Sequence, residues 1–129
     1  MAPAAALLDL MNTARIAGDA GLLERDPELD AVALVRARAL VSGGYFDHYG
    51  PDGESAFTEM AFRGIWYRLA GENLARNTYA EARSPLSAFE SLMGSPGHRA
   101  NILEARYARV GVAAVRDGRM LVYVTVFTD

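Results

Sequence analysis

The chain has 129 residues, of which 51% are apolar and 22% charged, with no cysteine and a net charge of −3. Length and apolar content suit one domain, residues 1–129, with a sizeable core, and exclude a disordered chain. The acidic balance leaves no basic footprint for nucleic acid, and no apolar run is long enough to span a bilayer.

Leu7, Leu10, Met11 and Ala14 recur at helical spacing and predict a first helix from Ala4 to Ala17, closed by Gly18 and Gly21. Asp26-Pro27 reads as an N-cap followed by proline in the first helical position. Leu29, Val32, Ala33 and Leu40 then give a second amphipathic helix, ended by Ser42-Gly43-Gly44. Tyr49 to Gly53 is a turn-rich loop, and a short helix follows with Phe57, Met60 and Ala61 on one face. Residues 70–76 read as an irregular strand. Ser84-Pro85 opens a helix through Met93 with Leu86, Phe89 and Met93 as its apolar stripe. Ser95-Pro96 repeats that signal and places His98 in the first turn of another short helix.

Val110–Arg116 and Arg119–Phe127 are β-rich runs around Asp117-Gly118, a two-residue type I′ hairpin signal. That register pairs Val115 with Met120, Ala113 with Val122 and Val112 with Tyr123, and sets Arg116 against Arg119 at the exposed end. Both faces of the hairpin are apolar, so both need cover. The expected fold is therefore α+β: a three-layer α-β-α sandwich around a small antiparallel sheet.

His48 and His98 are the only histidines. At the N-terminal end of a helix dipole, His98 is favoured in its neutral form, which binds metal or acts as a base; its alternative is a buried histidine that pins the loop. His48 opens a Gly/Pro loop, where binding groups concentrate, though solvated loop histidines are common. Glu72, between Gly71 and Asn73, needs a partner or solvent; a histidine would satisfy it and be oriented by it. Ser91 and Ser95 lie near His98 without a nucleophile elbow, and Ser95 reads as a helix cap. Glu24, Asp26, Glu28 and Asp30 read as a solvated acidic face, and Tyr45, Phe46, Trp66 and Tyr67 as core or pocket wall.

These motifs resemble the CAP superfamily (cysteine-rich secretory, antigen 5 and pathogenesis-related proteins; SCP-like), in its small cysteine-free bacterial branch. The resemblance runs through Leu7-Leu8-x-Leu10-x-Asn12-x-x-Arg15, Asp26-Pro27-x-Leu29, Gly44-Tyr45-Phe46-x-His48 and Pro51-Asp52-Gly53. It continues through Ala70-Gly71-Glu72-Asn73-Leu74-Ala75 and Ser95-Pro96-Gly97-His98-Arg99-Ala100-Asn101-Ile102-Leu103, and closes with Val110-Gly111-Val112 and Val126-Phe127. It implies an α-β-α sandwich whose central cleft carries two histidines and two glutamates. His48, His98 and Glu72 match three of these, and Ser95 or its neighbour falls where the second glutamate belongs. Leu92 stands where the branch commonly has tryptophan.

The resemblance also implies a secreted or cell-envelope location, although no leader opens this chain; a leader already removed is compatible with its start. It implies a ligand- or partner-binding module with a cleft of His48, Glu72, Ser95, His98 and Asn101, taking a lipid-like molecule, a glycan or a protein. Zinc or another divalent cation on His48 and His98 is the implied cofactor, held weakly because the second carboxylate is missing. The alternative is a peptidase-like hydrolase using His48, Glu72 and His98. A third reading makes those three residues a structural network, whose single alanine variants each cost about 1–3 kcal/mol.

Overall fold

A computed structural model of the chain describes all residues, 1–129. It holds α1 (Pro3–Ala17), β1 (Glu24–Arg25), α2 (Pro27–Gly43), α3 (Ala56–Phe62), β2 (Ala70–Asn77), α4 (Ser84–Met93), α5 (Pro96–Leu103), β3 (Arg109–Asp117) and β4 (Met120–Thr128). The sheet order is β1-β3-β4-β2. β4 pairs antiparallel with β2 and β3, and the two-residue β1 adds a parallel edge to β3.

Alternation along the strands sorts side chains into two cores. Val110, Val112, Leu121, Tyr123, Phe127 and Ala75 face one side with Leu7 and Met11 of α1, Leu92 of α4 and Ile102 of α5. Ala113, Val122, Val124, Val126 and Leu74 face the other with Leu29, Val32, Ala33, Ala37 and Leu40 of α2 and Met60 of α3. The three-layer α-β-α sandwich expected from a two-faced apolar hairpin is the observed architecture. β4 is buried from Leu121 to Thr128, as a central strand covered on both faces must be.

Local signals explain most helix ends. Asp26 caps α2 by accepting from the backbone N–H groups of Glu28 and Leu29 at 2.8 and 3.1 Å. Asp30, on the next turn, accepts from the Val112 N–H at 2.9 Å and pairs with Arg25, covering the β3 edge where β1 stops. Asp26 and Asp30 are thus structural rather than part of a free acidic face. Gly111 lets α2 approach the sheet: a Cβ there would sit 2.0 Å from the Leu29 carbonyl carbon.

Four expectations are corrected. Asp117 joins β3 and pairs with Met120, so the turn is Gly118-Arg119 and Val115, Ala113 and Val112 face Val122, Val124 and Thr125. Only Gly118 of the two turn residues has positive φ, which fits a turn with glycine first rather than type I′. The slip is two residues, so every side chain keeps its face. Residues 70–77 form a regular strand paired along its whole length with β4. α4 buries Ser84, Pro85, Ala88 and Leu92 while Leu86 is exposed, because the Ser84 hydroxyl turns inward to Asn77 and Tyr123 at 2.7 and 2.8 Å. Trp66 is 72% exposed and belongs to no core or pocket wall.

Candidate functional site

Edge strand β2 organises the candidate residues. Glu72 and Asn73 are consecutive, so their side chains leave opposite faces of the sheet. Glu72 points to the α2 side and is buried; Asn73 points to the α5 side and is buried too.

On the α2 side, Glu72 meets Arg36 and His48. Arg36 Nε donates to Glu72 Oε2 at 2.9 Å, and Arg36 Nη2 to Oε1 at 3.3 Å. His48 Nδ1 lies 2.8 Å from the same Oε1. Both Arg36 and Glu72 side chains are 2% exposed, whereas the His48 side chain is 47% exposed. Arg36 also reaches the loop itself, donating from Nη2 to the carbonyls of Asp47 and His48 at 2.8 and 3.0 Å. Burial works against the charge of Arg36, and the Glu72 carboxylate overcomes that, so its pKa rises above the usual arginine value. Arg76 lies over the ring of Phe46 at 4.2 Å, next in sequence to the two residues that Arg36 holds.

On the α5 side, Asn73 Nδ2 donates to the His98 carbonyl at 3.0 Å, and Asn101 Nδ2 donates to Asn73 Oδ1 at 2.9 Å and to the Glu72 carbonyl at 3.4 Å. These bonds fasten α5 to the strand that carries Glu72. Ser95 stands at the N-cap of α5, yet its hydroxyl makes no cap bond to the backbone. It lies 2.8 Å from His98 Nδ1 instead. The expected cap is therefore a side-chain pair. Nε2 of each histidine makes no hydrogen bond within the protein, while Nδ1 of each is occupied.

The structure thus joins His48 directly to Glu72, and Ser95 directly to His98, with Asn101 and Asn73 between the two halves. It offers no group of three or more histidine and carboxylate side chains arranged to hold a metal ion. Both Glu72 oxygens are already engaged, so among the candidate histidines and carboxylate only two imidazole nitrogens are free, fewer than the three or four that zinc sites take from a protein.

Arg36 is the residue the sequence reading missed. It occupies a buried position in the α2 stripe, between Ala33 and Ala37. An arginine there was a signal in its own right, since a buried cation needs a buried anion, and Glu72 was a carboxylate in need of a partner. Asn12 and Arg15 of the first motif are structural. Asn12 exchanges two hydrogen bonds with the Leu23 backbone. Arg15 is fully buried and donates to the carbonyls of Ala20, Gly21, Ile102, Glu104 and Tyr107. Burial lowers its pKa, with Glu104 opposing.

Comparison with known proteins identifies the family and the fold. Residues 8–127 match the family described as CAP: Cysteine-rich secretory protein family. The uncharacterized protein YkwD of Bacillus subtilis strain 168 is 32% identical over 112 residues, which are 87% of this chain and 42% of YkwD. An extracellular protein with an SCP domain from Bacillus anthracis superposes with a TM-score of 0.86 at 24% identity, covering 98% of this chain and 40% of that one. An outer surface protein of Borrelia burgdorferi superposes with a TM-score of 0.83 at 18% identity, covering 95% and 89%. The chain therefore spans less than half the length of YkwD and of the Bacillus anthracis protein.

Proposed function

The chain belongs to the CAP family of cysteine-rich secretory proteins, and from that premise we propose that it is a binding module of the cell exterior whose contact groups are His48 and His98. The observation that carries the reading is the division of labour in each imidazole. Nδ1 is tied at 2.8 Å, to Glu72 in one ring and Ser95 in the other, and Nε2 is left free. An oriented imidazole with one open nitrogen is the arrangement that binds a metal or accepts a hydrogen bond from a ligand. Ser95 orients His98 as Glu72 orients His48, through a bond to Nδ1.

A divalent cation such as zinc would be held by His48 and His98, with water completing the shell, and so weakly. Its chemistry there would be charge and Lewis acidity at the protein surface. The extracellular location rests on the family and on similarity to an extracellular and an outer surface protein; no helix here is long and apolar enough to cross a membrane. A lipid-like, glycan or protein ligand fits this role.

A calorimetric titration of zinc into metal-stripped protein, beside His48→Ala/His98→Ala, tests the reading. Saturable binding in the wild type that disappears in the double variant is expected. Equal binding by both proteins, or none by either, removes the metal from the account. A hydrolase reading draws on the one hydroxyl–imidazole pair, Ser95 and His98. Absence of cleavage across a peptide library, with and without zinc, eliminates it.

A further inference from the structure

We infer that Arg36 is a positioning residue that makes His48 Nε2, and not the Glu72 carboxylate, the atom this site offers to a ligand. The inference rests on the binding reading above for its use, but its geometry stands apart from any ligand.

One guanidinium grips both partners of the His48–Glu72 bond. Its Nε and Nη2 hold the two carboxylate oxygens, and Nη2 also holds the Asp47 and His48 carbonyls. The loop backbone that carries the imidazole therefore cannot move from the carboxylate without breaking bonds to the same arginine. A carboxylate paired with a buried arginine accepts hydrogen bonds and donates none. Since Oε1 lies 2.8 Å from His48 Nδ1, that nitrogen must carry the proton. In the neutral ring this leaves Nε2 as a bare lone pair, on a side chain that is 47% exposed. Glu72, at 2% exposure with both oxygens hydrogen-bonded inside the protein, is closed to a ligand by burial.

The same reasoning predicts an asymmetry between the histidines. The Ser95 hydroxyl can donate or accept, so it orients the His98 ring without fixing its tautomer. His48 is committed by Arg36 through Glu72; His98 is not.

The test is a long-range proton–nitrogen NMR spectrum of metal-free, nitrogen-15-labelled protein at a pH where both rings are neutral. The Nδ1–H form of His48 is expected in at least about tenfold excess, the scale of one charge-assisted hydrogen bond. Arg36→Met should bring the two tautomers to within about threefold of each other as the carboxylate loses its anchor. Arg36→Lys, which keeps the charge but cannot bridge carboxylate and carbonyls together, should fall between, and serves if Arg36→Met does not fold. A wild-type His48 protonated at Nε2 overturns the inference without any variant. So does an unchanged His48 tautomer in a folded Arg36 variant. Because the spectrum is recorded without metal, a failed zinc titration beside an Nδ1–H His48 would refute the metal reading and leave the role of Arg36 standing.

Discussion

At the scale of single residues, buried charge is the most consequential feature. Arg36 and Glu72 leave water together, and each is tolerable only because of the other. Glu72→Gln would leave the guanidinium without its counter-charge and should cost about 3–5 kcal/mol of unfolding free energy. Replacing both partners by apolar residues, as in Arg36→Met/Glu72→Leu, should recover most of that loss. Urea denaturation of the single and double variants checks both statements. Thr128 is the opposite case: its hydroxyl is the one buried side-chain oxygen without a partner. Thr128→Val keeps the shape, removes the unmet hydrogen bond, and should stabilise by about 1 kcal/mol in the same assay. The residue level is also where the sequence was least legible. Glu72 stood out as a carboxylate among apolar neighbours, but Arg36 was passed over because the α2 stripe was read across it. The pairing depends on contact between residues 36 positions apart, which no local pattern carries.

At the scale of elements, caps and close approaches determine the layout. Asp26-Pro27 announced α2 correctly, since the cap is a local bond between neighbours in sequence. Ser95 was misjudged for the complementary reason: its hydroxyl had a choice between the backbone and His98, and sequence does not show which it takes. The hairpin was located, but its register slipped by two because Asp117 can end a strand or begin a turn, and Gly118 alone supplies the positive φ. Gly111 gives the sharpest prediction at this level. A methyl group there collides with the Leu29 backbone, which cannot swing away as a side chain could. Gly111→Ala should therefore cost about 1–3 kcal/mol by overpacking, read as a lowered urea midpoint with an unchanged slope.

At the scale of the molecule, two apolar cores clamp one sheet, and the pH range of stability follows from what they bury. Tyr107 stacks on Phe127 at 5.2 Å between ring centres, and Tyr123 shares a hydrogen bond with Ser84. Burial raises the pKa of both phenols above the ordinary value of 10.0; for Tyr107 the Glu104 charge adds to this, and for Tyr123 the Ser84 bond opposes it. A raised folded-state pKa means the contribution is complete below pH 10 and is lost as pH rises through the folded value. The melting temperature should fall above about pH 10, and less steeply in Tyr123→Phe. The sandwich itself was legible because two apolar faces on one hairpin require two covering layers, a global consequence of a local alternation.

The central claim is that His48 and His98 make the contacts of binding while Arg36, Glu72 and Asn73 build the frame that positions them. Thermal melts of wild type, His48→Ala and His98→Ala, each with and without zinc, address it most directly. Metal-free variants should stay within about 1 kcal/mol of wild type, since each ring gives up a single partly exposed hydrogen bond. Zinc should raise the wild-type melting temperature and leave both variants unmoved. Variants that lose about 2–3 kcal/mol without metal, together with a wild type indifferent to zinc, would make the histidines part of the structural network and contradict the account.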